Sequence, residues 1–137
     1  MGDDAAGPLL AQRITEQPLE GWAVLDGGAT PENHLHRVRE IAPEQVVIVD
    51  AADMDLEPGA IRLLRGGELD DPFLMTTHTL PLSFLFQSLS EFVPSVQMIG
   101  IQPELVAFGY PTSVSVRNAV ESIYQALKQD RSDWQIL

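Results

Sequence analysis

Cysteine is absent from the 137-residue chain. Disulfides, thiolate metal sites and cysteine nucleophiles are thereby excluded. Basic charge is scarce: Lys and Arg number 8 against 20 Asp and Glu, for a net charge of -12. Nucleic acid and anionic membranes need a positive patch, so neither is an expected partner. A basic peptide or a metal-loaded protein is electrostatically easier to approach, and simple solubility is the plainer consequence of the same charge. No apolar run approaches the roughly 20 residues of a membrane helix. Met1 is followed at once by Gly2, Asp3 and Asp4, without the basic and apolar segments of a secretory signal, so a cytoplasmic protein is expected. The chain also lacks a G-x-S-x-G elbow, an H-E-x-x-H helix and a Gly-rich phosphate loop. Serine-hydrolase, zincin and nucleotide chemistry lose their usual signatures with them.

What is present reads as a single domain, residues 1–137, with alternating elements of α/β type. Gly7 to Gln17 has Leu10 and Ile14 on one helical face and Pro8 in its first turn. Trp22 to Asp26 is a predicted strand stopped by Gly27-Gly28. Thr30 and Pro31 open a helix to about Ile41 that buries Leu35, Val38 and Ile41. Val46-Val47-Ile48-Val49 is an unbroken β-branched run, which signals a strand covered on both faces and ending at Asp50. Ala60 to Leu64 is an edge strand, with Arg62 and Arg65 exposed. Pro81 to Phe92 is helical, Val96 to Ile101 a strand, and Ser115 to Gln129 a helix with a clean apolar stripe. The tail from Asp130 is expected to fray, with Trp134 docking on the surface. An α/β domain ordinarily opens with a strand ahead of its first loop and helix; here the chain begins inside that loop.

Three residues carry the candidate chemistry. Asp4, beside Asp3, precedes the first helix, where a carboxylate also gains from the helix dipole without any catalytic role. Asp50 closes an apolar strand at the carboxyl edge of the predicted sheet, where open α/β sheets bind ligands, although a capping aspartate looks the same in sequence. His78 lies in Met75-Thr76-Thr77-His78-Thr79 ahead of a helix, a setting that also suits a solvated imidazole. His34 and His36, two apart on a charged helix, point to different sides and read as solvated. Taken together, two carboxylates and an imidazole form a ligand set suited to zinc or nickel, with a coordination position left open. Gly27 and Gly28 follow a strand at the same edge and allow close backbone approach, or make a plain turn. A phosphoacceptor receiver domain also pairs N-terminal acids with a strand-ending aspartate. It needs a lysine after its last strand, however, and position 102 is Gln while the one lysine is Lys128.

Several stretches together resemble the hydrogenase maturation endopeptidases. They are Met1-Gly2-Asp3-Asp4-Ala5-Ala6-Gly7-Pro8, Asp26-Gly27-Gly28 with Pro31-Glu32-Asn33, and Ile48-Val49-Asp50-Ala51-Ala52-Asp53-Met54. Met75-Thr76-Thr77-His78 and Ile99-Gly100-Ile101-Gln102-Pro103-Glu104 complete the set, and these two look most like the HycI-type branch acting on hydrogenase 3. The resemblance covers nearly the whole chain, in order. It implies a three-layer α/β/α sandwich with a twisted, mainly parallel sheet of about five strands. It implies an aspartic-type endopeptidase that removes a C-terminal extension from the precursor of a [NiFe]-hydrogenase large subunit after nickel insertion. Asp4 and Asp50 match the family's acids, catalytic and metal-binding, and His78 its metal-binding histidine. Gly27 and Gly28 match a loop bordering the substrate cleft. The nickel would come with the precursor, no tightly bound cofactor is expected, and the protease would act as a monomer.

The chain departs from the family in one respect. Family members carry an apolar strand and a Gly-Asn turn before this Met-Gly-Asp-Asp, and the sequence shows neither, as a misassigned start or a true truncation would leave it. A sheet without that inner strand would expose unpaired edges, so the truncated form is expected to be poorly stable and inactive. A non-catalytic nickel- or precursor-binding relative is the alternative of another class.

Overall fold

The computed structural model describes residues 6–25, 35–64, 75–76, 82–104, 112–131 and 134–136. Among these, the order is α1 (Ala6–Glu16), α2 (Leu35–Ile41), β1 (Gln45–Asp53), β2 (Ile61–Leu64), β3 (Met75–Thr76), α3 (Leu82–Ser90), β4 (Ser95–Ile101) and α4 (Val114–Lys128). The strands form one sheet in the order β2-β4-β1-β3. The β-branched run of β1 pairs in parallel with β4, from Gln45 opposite Ser95 to Ala51 opposite Ile101. Both outer strands are antiparallel: β2 against β4, and β3 against the end of β1 through Ala52–Thr76 and Asp53–Met75. The sheet over the described residues is therefore mixed, with four strands where about five mainly parallel ones were expected.

Alternation along the strands builds the three layers. Val47, Val49, Ala51, Ile99 and Ile101 turn one way, into a core closed by Ala6, Leu10 and Ile14 of α1 and Val116, Val120 and Ile123 of α4. Ile48, Ala52, Leu64 and Met98 turn the other way, toward Leu85 and Phe86 of α3, while Val46 meets Val38 of α2 and Leu89 of α3. Helix α4 starts at the N-cap Ser113, whose hydroxyl accepts from the Val116 N–H at 3.3 Å. Gly7 lets α1 lie close on the sheet: a Cβ there would stand 2.9 Å from the Val49 carbonyl oxygen.

Four sequence expectations are revised. The segment Trp22–Leu25 pairs with no strand among the described residues. Along Gln45–Ala51, β1 has β4 on one side and no described strand on the other. Instead a groove of about 610 Å³ runs between that edge and Trp22, Val24 and Leu25. An extended apolar segment becomes a strand only when a neighbour takes its backbone hydrogen bonds, and here the two candidates face each other across open space. Ile41, expected in the core, is 40% exposed at the same groove. Trp134 docks as expected, on the α1/α4 core, but the tail beyond it does not fray: Leu63 N–H donates to Gln135 O at 2.7 Å and Ile136 bridges Leu63. That pairing covers the outer edge of β2. Arg62 is half-buried rather than exposed, its guanidinium donating to the Ile61 carbonyl, and Arg65 lies outside the described residues.

Candidate active site

Asp50 is the candidate site residue that the structure describes, and it is 2% exposed. Strand alternation puts it on the α2/α3 face of β1, beside Gly100 of β4, its partner in the ladder. Its Oδ1 accepts the N–H of Ala51 at 2.9 Å. Asp50 does not end the strand as expected; β1 runs on to Asp53 because β3 pairs with its last residues. The carboxylate thus lies inside the sheet's carboxyl end rather than on a loop. Burial at this depth strengthens its attraction to any cation that reaches it, because solvent screening is weak there.

Asp4, Gly27, Gly28 and His78 lie outside the described residues. The elements flanking them nevertheless meet β1 close to Asp50. Ala6, two residues after Asp4 in sequence, opens α1, and Gly7 is in close contact with Val49. Thr76, two residues before His78 in sequence, pairs with Ala52. Leu25, two residues before Gly27, lines the groove that also reaches Asp50. Among the described residues alone, no group of three or more acidic or imidazole side chains is arranged to hold a metal ion.

Sequence reasoning met Gln102 only as the residue standing where a receiver lysine would be and as part of the Ile99–Glu104 family motif, and gave it no role. With Asp50 it forms the buried polar pair among the described residues, at 6% exposure. Its Oε1 accepts from the N–H of Met54 at 2.6 Å and of Leu56 at 3.3 Å, and its Nε2 donates to Asp53 Oδ1 at 3.2 Å and Pro103 O at 3.3 Å. The available signal was a polar residue directly after an apolar strand, at the same edge as Asp50.

The strongest ion pair is remote from this edge. Arg13 of α1 donates to both carboxylate oxygens of Glu121 of α4, at 2.9 and 3.1 Å, and its guanidinium stacks over the Tyr124 ring. Hydrogen bonds from Arg13 and then Gln125 hold the Glu121 carboxyl down at about 2. The pair staples two helices of one layer and serves the fold.

Over residues 8–130 the chain matches the HycI family, hydrogenase maturation protease. It is 45% identical over 128 residues to the hydrogenase 3 maturation protease of Escherichia coli K12, covering 93% of this chain and 82% of that one. The solution structure of the endopeptidase HycI from Escherichia coli superposes with a TM-score of 0.91 at 42% identity, covering 100% of this chain and 89% of the other. A [NiFe] hydrogenase maturation protease HycI from Thermococcus kodakarensis gives 0.79 at 27% identity, over 93% and 83% of the two chains. With a buried strand aspartate at the edge where such a site was expected, and with these likenesses along its length, the chain belongs to the hydrogenase maturation protease family and is a peptidase of that family.

Proposed function

We propose that this peptidase removes the C-terminal extension of a [NiFe]-hydrogenase large-subunit precursor once nickel is in place, and that the nickel carried by the precursor is its recognition tag. The observation that supports this most is the Asp50 carboxylate, buried at the carboxyl end of β1. The chain following Asp4 and the chain preceding His78 both abut the same strand. In this reading Asp4, Asp50 and His78 reach the nickel, and Gly27 and Gly28 border the cleft. A carboxylate and imidazole set suits a borderline divalent ion of this kind. The nickel supplies Lewis acidity at the scissile amide. Asp50 or Asp4 acts either by holding that ion or as general base toward water. The protease works as a monomer in the cytoplasm, with no tightly bound cofactor of its own.

The test is incubation with nickel-loaded and nickel-free precursor, following the mass of the large subunit. Cleavage of the loaded precursor only is expected. Intact loaded precursor sinks the reading, and binding without any mass change establishes a non-catalytic relative instead. His78→Ala is expected to abolish cleavage and leave the melting temperature unchanged; normal turnover removes His78 from the site.

A further inference from the structure

Gln102 is the buried polar side chain that the proposed chemistry leaves unused. It follows β4 directly and ties three segments together. Its main chain is bound on both sides by the turn before β2, Gln102 N–H donating to Ala60 O at 2.9 Å and Gly59 N–H to Gln102 O at 2.8 Å. Its amide holds the turn after β1 through the Met54 and Leu56 N–H groups and the Asp53 carboxylate. That turn needs holding, because Asp55 has a left-handed backbone with φ of +58°. All four amide contacts use the donor and acceptor ends of a glutamine in their correct sense.

The clamped turn reaches back to Asp50. Met54 is 8% exposed and packs with Ala52, Leu64 and Met98. Its sulfur lies over Gly100: a Cβ built there would meet Met54 Sδ at 3.1 Å, Leu64 Cδ1 at 3.2 Å and Ala52 Cβ at 3.4 Å. Gly100 is the ladder partner of Asp50, and partners in a parallel pair face the same side of the sheet. Gly100 therefore opens a slot, Met54 fills it, and Gln102 fixes the backbone from which Met54 projects.

We propose that Gln102 is a positioning residue for peptide cleavage, acting through Met54 and Gly100 to set the wall beside Asp50. The inference rests on the proteolytic reading above. Removing the clamp leaves Asp50 in its strand and lets Met54 shift. Precursor binding is expected to be kept, whereas the alignment of the reacting group is lost.

The experiment uses the form that cleaves loaded precursor, with Gln102→Glu, Gly100→Ala and Met54→Leu. The first keeps the oxygen that accepts from Met54 and Leu56 and turns the donor end into a carboxylate facing that of Asp53. At pH 8, kcat relative to the unsubstituted protein is expected to fall about tenfold to a hundredfold, the scale of a reacting group displaced by up to an ångström. KM stays within about twofold, as it does when only transition-state alignment is lost. Near pH 5 the introduced carboxyl takes up a proton, donates to Asp53 again, and the relative kcat recovers. The Met54 methyl resonance, assigned with Met54→Leu, moves and returns over the same pH range. Gly100→Ala gives a similar loss of kcat at every pH, with the clamp intact.

Unchanged kcat for Gln102→Glu at pH 8, a loss confined to KM, or a methyl resonance that does not move overturns this inference alone. A purely structural role lowers the melting temperature and leaves kcat in place at temperatures where the variant is folded. Absence of cleavage by the unsubstituted protein overturns the proteolytic reading, and this inference with it.

Discussion

Gly7→Ala sets two effects of similar size against each other. Replacing a helical glycine by alanine ordinarily stabilises by up to about 1 kcal/mol, because the backbone loses less entropy on folding. Here the new Cβ would stand 2.9 Å from the Val49 carbonyl oxygen, an atom of the central strand that cannot turn aside as a long side chain would. Either α1 backs away from the sheet or β1 bends, and overpacking of this kind costs about 1–3 kcal/mol. The steric term wins, with net destabilisation of about 1–2 kcal/mol. For a domain of this size that is a fall of about 3–8 °C in melting temperature. Urea titration followed by the fluorescence of Trp22 and Trp134 measures it, since both side chains pack against the core that α1 closes. Cleavage should fall by more than the stability loss implies, because α1 starts two residues after Asp4. A neutral or stabilising Gly7→Ala would refute the view that α1 is held at its closest approach to β1.

Ile123→Ala removes a side chain that is 0% exposed in the α4 stripe and is expected to cost about 2–5 kcal/mol in the same titration. Asp50→Asn keeps the shape of a buried carboxylate without its charge, so it should abolish cleavage with an unchanged fold by circular dichroism; retained turnover removes Asp50 from the chemistry. The Glu121 carboxyl is held at about 2 against an ordinary 4.5, so its pairing with Arg13 stabilises fully above pH 4.5 and is lost as pH falls toward 2. The melting temperatures of the unsubstituted chain and Glu121→Gln should therefore converge over that window. The gap should be modest and salt-sensitive because Glu121 is 46% exposed, and a gap unchanged at pH 2 contradicts the pairing.

Much of this protein was legible without coordinates. The run Val46–Val49 announced a strand covered on two faces because no amphipathic alternative accommodates four consecutive β-branched residues. The apolar stripe of α4 follows from helical period, which is local, although the helix starts at a Ser113 cap two residues earlier than the sequence suggested. Family motifs spread along the chain carried the peptidase assignment, which the likenesses over residues 8–130 support.

What lay beyond the sequence depends on neighbours far away in the chain. That β1 continues past Asp50 was decided by β3, which arrives from residues 75–76 to pair with Ala52 and Asp53. Trp22–Leu25 has the composition of a strand and pairs with none of the described ones, because backbone pairing is a property of two segments. The tail was expected to fray apart from a docked Trp134, and Trp134 does dock; that Gln135 and Ile136 also cover β2 was not foreseen, since only folding brings them beside Leu63. Gln102 is one polar residue among many in the sequence. Only the meeting of the turn after β1 and the turn before β2 at the end of β4 makes Gln102 a clamp, and only the cross-strand step from Asp50 to Gly100 connects that clamp to the site. The sequence determined which residues could do the chemistry, because side-chain type is local; tertiary structure decided which of them meet, because that depends on strand register.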